Sequence, residues 1–166
     1  MNGITRIGVA AAGSLILASA AMAQGAPAGG APAQTPEQKA EATVLTRQGL
    51  FKVQSFAFGP VGGMLRGAPF DAAAATKAAQ RVQVTASMIP DVFKDDTHTF
   101  GTIKTRAREG IWTNKSDFDS KANDLVKAAA DLEAAAKTGD KDKTIAAARA
   151  VGKGCSGCHD QFRDNP

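Results

Sequence analysis

Cys155-Ser156-Gly157-Cys158-His159, near the C-terminus, is the stretch on which the interpretation of this 166-residue chain rests. It contains both cysteines of the sequence, and Cys-x-x-Cys-His is the attachment pattern of c-type haem. At such a site each thiol adds across one vinyl group of the porphyrin, and the histidine supplies an imidazole nitrogen to the iron. We therefore predict one haem c, bound covalently through Cys155 and Cys158 and axially ligated by His159.

Three other interpretations of the cysteines are weaker. A redox dithiol would follow a strand in a βαβ pattern, and no such pattern precedes Cys155. A zinc site needs about four ligands, and only the distant His98 would add to the local set. A structural disulfide would leave the position of His159 unexplained. On a helix, by contrast, residues three and four apart share one face, as haem attachment requires.

The start of the chain resembles a secretory signal. Arg6 provides the positive charge, Val9 to Ala21 is mostly apolar, and Ala21-Met22-Ala23 has the form of a cleavage site. We predict that residues 1–23 are a signal peptide that exports the protein to the periplasm, and that no membrane attachment remains after cleavage. An uncleaved anchor is the alternative, although the apolar run is short for a membrane span.

Composition constrains the rest of the chain. Residues 24–34 are almost entirely Gly, Ala and Pro and are predicted to be a disordered tether. This leaves residues 35–166 as one small domain. The formal net charge of the whole chain is +4. The predicted signal peptide contains one charged residue, Arg6, so its removal would lower the net charge to +3. A charge this small, without a basic and aromatic patch, predicts no nucleic-acid partner.

The first half of the domain predicts two helices. Thr35-Pro36-Glu37-Gln38 has the form of a capping box, and the helix that follows should reach about Phe58. Gly59-Pro60 should bend or interrupt it before an extension to Arg66. A second helix should begin at residue 70 or 71 and end before Pro90. Its predicted inward stripe is Ala74, Ala78, Val82, Thr85 and Ile89.

The second half predicts a crossover and two more helices. Residues 91–115 lack a sustained period, so we expect an irregular connection, with Trp112 packed on the bundle and His98 in a solvated loop. The third helix should open at Ser116, with Asp119 completing a near capping box, and end at Thr138-Gly139. Its apolar seam is Phe118, Ala122, Leu125, Ala129, Leu132 and Ala136. Asp140 should cap the fourth helix, whose inward stripe is Ile145, Ala148, Gly152, Cys155, His159 and Phe162.

These elements predict an all-α fold, an antiparallel four-helix bundle with haem bound in the core near the C-terminal helix. No segment shows convincing alternation of period two. The many alanines bury little area each, so a haem would supply apolar volume that the chain itself lacks. We therefore expect the protein without haem to be much less stable than the protein with it.

The whole pattern resembles cytochrome c-prime, the class II family of c-type cytochromes. The resemblance rests on Arg47-Gln48, on Ile111-Trp112, and on the haem motif at the C-terminal end with Arg163 after it. It implies that Cys155 and Cys158 hold the haem and that His159 is the proximal ligand. It further implies that four residues lie near the haem propionates and that Arg163 packs over the proximal face; the four are Arg47, Gln48, Thr105 and Arg106.

Phe51 stands where the family has a bulky apolar residue on the distal side of the iron. The resemblance therefore implies a five-coordinate, high-spin haem in an apolar distal pocket. Low-spin members of the class use a methionine of the first helix as sixth ligand, and residues 36–58 contain none. Met64 and Met88 lie outside that segment, and a low-spin electron carrier remains the alternative.

The implied function is electron transfer with redox partner proteins, binding of a diatomic gas such as nitric oxide or carbon monoxide, or both. The resemblance also implies a homodimer packed through the first two helices. We expect no enzymatic activity, because a haem peroxidase usually needs a distal acid–base group and His98 is the one spare histidine. A structural bundle without haem is the remaining alternative.

Overall fold

The computed structural model describes residues 33–165. The predicted signal peptide, residues 1–23, lies outside the described residues, as does the predicted tether of residues 24–34 apart from its last two positions. The described residues contain six helices: α1 Pro36–Leu65, α2 Ala72–Ser87, α3 Ile89–Val92, α4 Gly110–Thr113, α5 Lys115–Lys137 and α6 Lys141–Phe162. Within residues 33–165 there is no strand, so the predicted all-α class is confirmed.

The start of α1 forms as its sequence predicts. Thr35 is the N-cap, and its Oγ1 accepts a hydrogen bond from the Gln38 N–H at 3.2 Å. Gln38 Oε1 accepts the return bond from the Thr35 N–H at 2.9 Å. The capping box thus satisfies two donors at the helix N-terminus, and Pro36 occupies a position where no N–H is needed.

The predicted interruption at Gly59-Pro60 is wrong, because α1 runs without a break to Leu65. Both residues are exposed, so the hydrogen bond that Pro60 cannot donate lies on the solvent side of the helix, where water can replace it. Burial of Met64 then holds the last turn against the core. The helix ends at Leu65, and Gly67, two residues later, has a φ of 102°, a left-handed conformation that favours glycine.

Helix α2 ends at Ser87, before Pro90 as predicted, and α3 begins at Ile89, after the single residue Met88. Its buried face is broader than the predicted stripe and consists of Ala75, Ala78, Ala79, Val82, Thr85 and Ala86. Ala74, assigned to the stripe from the sequence, is only half-buried. Because most of these side chains are methyl groups, α1 and α5 can both approach α2 closely.

The crossover between α2 and α5 is less irregular than predicted, since it contains α3 and α4 as short helices. Trp112 packs against the buried core of the bundle, as predicted, and its Nε1–H donates to the Phe93 carbonyl at 3.1 Å. The predicted capping box of Ser116 and Asp119 does not form. Helix α5 begins earlier, at Lys115, so Ser116 lies inside the first turn, where it cannot cap. Asp119 pairs with Lys115 instead.

Helices α5 and α6 form where the sequence predicts them, but the buried face of α6 differs from its predicted stripe. It consists of Thr144, Ala148, Val151 and Phe162. The other predicted positions are half-buried, and all of them except Ile145 border a cavity between α1 and α6: Ile145, Gly152, Cys155 and His159. Every predicted seam residue of α5 is buried. Asp140 caps α6 by accepting from the Lys143 N–H at 3.0 Å. Each of the four long helices packs against two others: α1 against α2 and α6, and α5 against α2 and α6. The predicted four-helix bundle is therefore confirmed.

A polar contact ties α2 to α5 on the outside of the bundle. The Glu133 carboxylate accepts from Lys137 at 2.6 Å, from Gln80 Nε2 at 2.8 Å and from Gln83 Nε2 at 2.7 Å. These bonds, that of Lys137 first, lower the pKa of Glu133 to about 2. The carboxylate is therefore ionised at neutral pH and holds the two glutamines of α2 against α5.

None of the helices in residues 33–165 has both the length and the apolar character that crossing a membrane would require.

Candidate functional site

A cavity of about 1060 Å³ lies between α1 and α6, with one wall formed by the crossover. Its volume is at the upper end of the range typical of small-molecule and cofactor sites. All of the site residues predicted from the sequence line it: Arg47, Gln48, Phe51, Thr105, Arg106, Cys155, Cys158, His159 and Arg163. The fold therefore brings together residues that are up to 116 positions apart, from Arg47 to Arg163.

Helix α6 presents both cysteines to the cavity. Cys155 and Cys158 are three residues apart, so the helix places them on one face, and both are half-buried free thiols. Burial raises the pKa of each thiol, so both stay protonated at neutral pH. Ser156 and Gly157, between them, are exposed. A ligand attached to these sulfurs would thus lie inside the cavity with one edge close to solvent.

His159 follows on the same face of α6 and is also half-buried. Burial lowers its pKa, and the nearby positive charge of Arg163 lowers it further. The imidazole is therefore neutral at pH 7 and keeps a nitrogen lone pair, which is the form that ligates a metal. Two thiols and a neutral imidazole on one helix face are the donor set for covalent haem c.

Phe51 of α1 lies across the cavity from His159. The two ring centroids are 6.3 Å apart, with an interplanar angle of 74°. Behind Phe51, the aromatic rings continue in a series. Phe51 contacts Phe93 at 6.2 Å, Phe93 contacts Phe118 at 5.0 Å, and Phe118 contacts Phe162 at 5.2 Å between centroids. The lining of the cavity therefore contains His159 and a packed series of aromatic rings that starts at Phe51 of α1 and returns to α6 at Phe162.

The side chains that could compete as iron ligands lie elsewhere. Met64 is buried in the bundle core and Met88 is exposed, and neither is among the described residues that line the cavity. His98 lies exposed in the crossover, in agreement with the predicted solvated loop, and does not line the cavity either.

Arg47 lies at the crossover end of the cavity, and its guanidinium binds the crossover itself. Nε donates to the Val92 carbonyl, Nη2 to the Asp95 carbonyl and Nη1 to Thr97 Oγ1, each at 2.6 Å. The side chain is 3% exposed. These bonds engage three of the five N–H groups of the guanidinium, so two remain for another acceptor. The sequence around Arg47 does not indicate that its guanidinium binds the crossover in addition to its predicted place near the propionates.

Aromatic rings also enclose the Arg47 guanidinium. Its carbon lies 4.5 Å from the centroid of the Phe93 ring and 5.3 Å from that of Trp112. Burial lowers the pKa of Arg47, while the charges of Asp95 and Asp96 act in the opposite direction. Because the ordinary pKa of arginine is so high, the group stays charged. Arg47 thus fixes Phe93, which in turn packs against Phe51.

The other end of the crossover is fastened to the chain after α6. The Arg108 N–H donates to the Phe162 carbonyl at 3.1 Å, and the Asp164 N–H donates to the Arg106 carbonyl at 2.9 Å. An ion pair at 2.8 Å joins Arg108 to Asp164. These bonds hold Thr105 and Arg106 at the mouth of the cavity, on the same side as Arg163.

Sequence analysis missed Gln54, the other polar residue of α1 that is buried at the cavity. It lies one turn after Phe51, is 8% exposed, and lines the cavity. Its Oε1 is fully shielded and has no hydrogen-bond partner among the described residues. An unpaired buried group of this kind costs roughly 1–3 kcal/mol. The spacing could have revealed it, because position 54 is seven residues after Arg47 and three after Phe51 on one helix face.

Comparisons with known proteins agree with this geometry. The sequence model of the family described as cytochrome C' matches residues 42–163, which is most of the chain. The chain belongs to the cytochrome c' family. Cytochrome c' of Rubrivivax gelatinosus is 37% identical over 60 residues, a segment that is 36% of this chain and 46% of that protein. The chain thus aligns with about half the length of the curated relatives that it matches.

Solved structures of the family match over a longer span. Cytochrome c' of Thermochromatium tepidum superposes with a TM-score of 0.68 and 30% identity, covering 76% of this chain and 97% of that one. A nitric oxide complex of a cytochrome c prime variant from Alcaligenes xylosoxidans gives a TM-score of 0.67 at 29% identity, with the same coverage. The family resemblance inferred from the sequence is therefore confirmed.

The contacts of Arg47 give a prediction about stability. Arg47→Met should lower the free energy of unfolding by roughly 2–4 kcal/mol, because the carbonyls of Val92 and Asp95 and the hydroxyl of Thr97 lose a charged donor. Urea unfolding followed by circular dichroism measures the change. Arg81→Met is the matched control, since Arg81 is exposed on α2. Equal stability of the two variants would contradict the assigned contacts.

Proposed function

We propose that this chain is a periplasmic haem c protein whose iron is five-coordinate and binds small diatomic ligands, nitric oxide or carbon monoxide, on the side of Phe51. The observation that supports this most directly is the arrangement of His159 and Phe51. A neutral imidazole faces a phenyl ring across the cavity, and a phenyl ring cannot ligate iron. The solved nitric oxide complex of a family member is consistent with the proposal.

The residues that would hold the haem follow from the lining of the cavity. Cys155 and Cys158 would form the two thioethers, and His159 would ligate the iron. When bound, the haem supplies a redox-active iron with one open coordination position. The aromatic wall of Phe51, Phe93 and Phe118 lines the cavity, so a ligand entering there would meet apolar rings.

Positive and amide side chains near the crossover would bind the propionates. Arg47 keeps two N–H groups that its crossover contacts do not use, and a guanidinium binds a carboxylate through paired hydrogen bonds. Gln48 is the next residue along α1, and Thr105 and Arg106 lie at the cavity mouth. Arg163 remains our proposal for the basic residue on the histidine side.

Electron transfer is the second candidate function. Ser156 and Gly157 are exposed between the two cysteines, so the edge of a haem attached there would lie close to the surface. Redox partner proteins could exchange electrons through that edge. We propose a carrier or ligand-binding protein rather than an enzyme, because the described residues that line the cavity include no histidine besides His159 to serve as an acid–base group.

An apolar surface on α1 and α2 supports the proposed homodimer. Three of the exposed large hydrophobic residues lie on α1, namely Leu45, Val53 and Phe56, with Phe56 74% exposed. Val84 of α2 is 57% exposed. Apolar side chains with such exposure, spaced along neighbouring helices, are typical of a surface that a second subunit covers.

Haem attachment can be tested on protein purified after export. Its mass should exceed that of the processed polypeptide by one haem, and its ferric absorption spectrum should be high-spin. Cys155→Ser/Cys158→Ser should lose the added mass and melt at least about 10 °C lower, because the cavity is no longer filled. Ser156→Ala is the matched control and should keep both properties. A wild-type protein without added mass, or an unchanged melting curve, would contradict the proposal.

The position of Phe51 gives a second test. Phe51→Met places a thioether opposite His159, so the ferric protein should become low-spin and show a sulfur–iron charge-transfer band. Affinity for nitric oxide and carbon monoxide should fall, because the added ligand must be displaced. Phe58→Met is the control, since Phe58 also lines the cavity but lies two turns further along α1. A high-spin spectrum in both variants would place the iron away from Phe51.

The proposed dimer can be tested by placing a charged side chain on the exposed apolar surface of α1 and α2. Phe56→Glu and Val84→Glu should each shift the protein toward monomer in sedimentation velocity, because a carboxylate would be buried in an apolar contact. Ala130→Glu is the control, as Ala130 is exposed on α5, away from this surface. A monomeric wild-type protein would rule out the dimer and leave the haem proposal intact.

A further inference from the structure

Gln54 carries the one side-chain atom that is buried without a hydrogen-bond partner in residues 33–165, its Oε1. The residue lies on the inward face of α1 and lines the cavity together with Phe51 and His159. It also lines a small recess of the same region beside Cys155 and Cys158. The unpaired amide is therefore located at the site proposed for the haem.

The surroundings of Gln54 give it no structural reason to be polar. The recess is lined mainly by apolar side chains, including Ile89, Phe118 and Leu125. Lys121 lines it too, but it makes no hydrogen bond to the amide oxygen. A leucine or methionine would fill this position without an unsatisfied atom. A buried amide that forms no internal bond indicates a partner that enters the cavity.

We propose that Gln54 is a hydrogen-bonding group for ligands that bind in the cavity on the side of Phe51. This inference rests on the proposed function, because it presumes haem held by His159. An amide offers two N–H donors and one carbonyl acceptor, and rotation of its terminal group can present either to a guest. The polarity and hydrogen-bond donors of a distal pocket decide which small ligands a haem protein favours.

The consequence is a change in ligand preference. A wholly apolar pocket, as implied by Phe51 alone, disfavours anions and water. Half a turn of the terminal amide exchanges its oxygen and nitrogen, so an N–H group of Gln54 can take the enclosed position that Oε1 now holds. From there it can donate a hydrogen bond to an anionic or strongly polar ligand, whereas carbon monoxide is a poor acceptor and gains little. Gln54 is thus a specificity-determining residue that favours hydrogen-bonding ligands over carbon monoxide.

The test compares two ligands in Gln54→Met, a variant of similar size without hydrogen-bonding groups. Cyanide affinity of the ferric holoprotein should fall about tenfold, the effect of losing one bond to a charged acceptor. Carbon monoxide affinity of the ferrous holoprotein should change less than about twofold. The carbon–oxygen stretching frequency of bound carbon monoxide should rise, because it responds to the electric field of nearby N–H groups and the variant lacks those of Gln54. The melting temperature should not fall, because the unpaired oxygen is removed.

Gln80→Met, on the exposed side of α2, is the matched control and should leave both affinities unchanged. An unchanged cyanide affinity in Gln54→Met would overturn the inference. Equal losses for cyanide and carbon monoxide would also overturn it, because they would reveal altered packing in place of a lost hydrogen bond. If the wild-type protein carries haem but Gln54→Met does not show the expected affinities, only the inference about Gln54 is wrong. A wild type without haem would overturn the proposed function as well.

Discussion

The small size of the buried side chains is the constraint on which this structure depends. Nearly half of the buried hydrophobic residues are alanines, which let helices approach closely but remove little apolar surface from water. Between α1 and α6 the packing gives way to a cavity of about 1060 Å³. A flat apolar group held there would supply the contacts that the alanines do not. We therefore propose that stability and ligand binding are linked in this bundle, since the proposed cofactor would complete the core.

Polar contacts on the crossover give the cavity a fixed shape. Arg47 binds carbonyl and hydroxyl groups of the crossover and stacks on Phe93, and the far end of the crossover is bonded to the chain beyond α6. Because Phe93 packs on Phe51, the Arg47 guanidinium helps to position the Phe51 ring through Phe93. Arg47 is thus a positioning residue as well as the proposed propionate partner, and the two roles use different N–H groups of one side chain.

The two faces of the cavity are chemically unequal, and this asymmetry supports the proposed ligand chemistry. On the α6 side, burial keeps two thiols protonated and the His159 imidazole neutral, and the neutral imidazole is the form that ligates a metal. On the α1 side, the Phe51 ring cannot ligate iron, and the unpaired Gln54 amide is our proposed hydrogen-bonding group for a ligand. Steric crowding and one hydrogen bond would then act together on any incoming molecule, the first through size and the second through polarity.

The haem motif, the caps of α1 and α6 and the seam of α5 could be predicted from the sequence, because each depends on residues close together along the chain. The capping box of Thr35 and Gln38 and the six buried positions of α5 follow from spacing alone. Three features could not be predicted in this way: the continuation of α1 through Pro60, the hydrogen bonds of Arg47 to the crossover, and the lack of a partner for Gln54 Oε1. Each depends on which side of a helix meets solvent, the crossover or an apolar recess. That is decided only when segments far apart in sequence pack together, because burial and hydrogen-bond partners are properties of the assembled bundle.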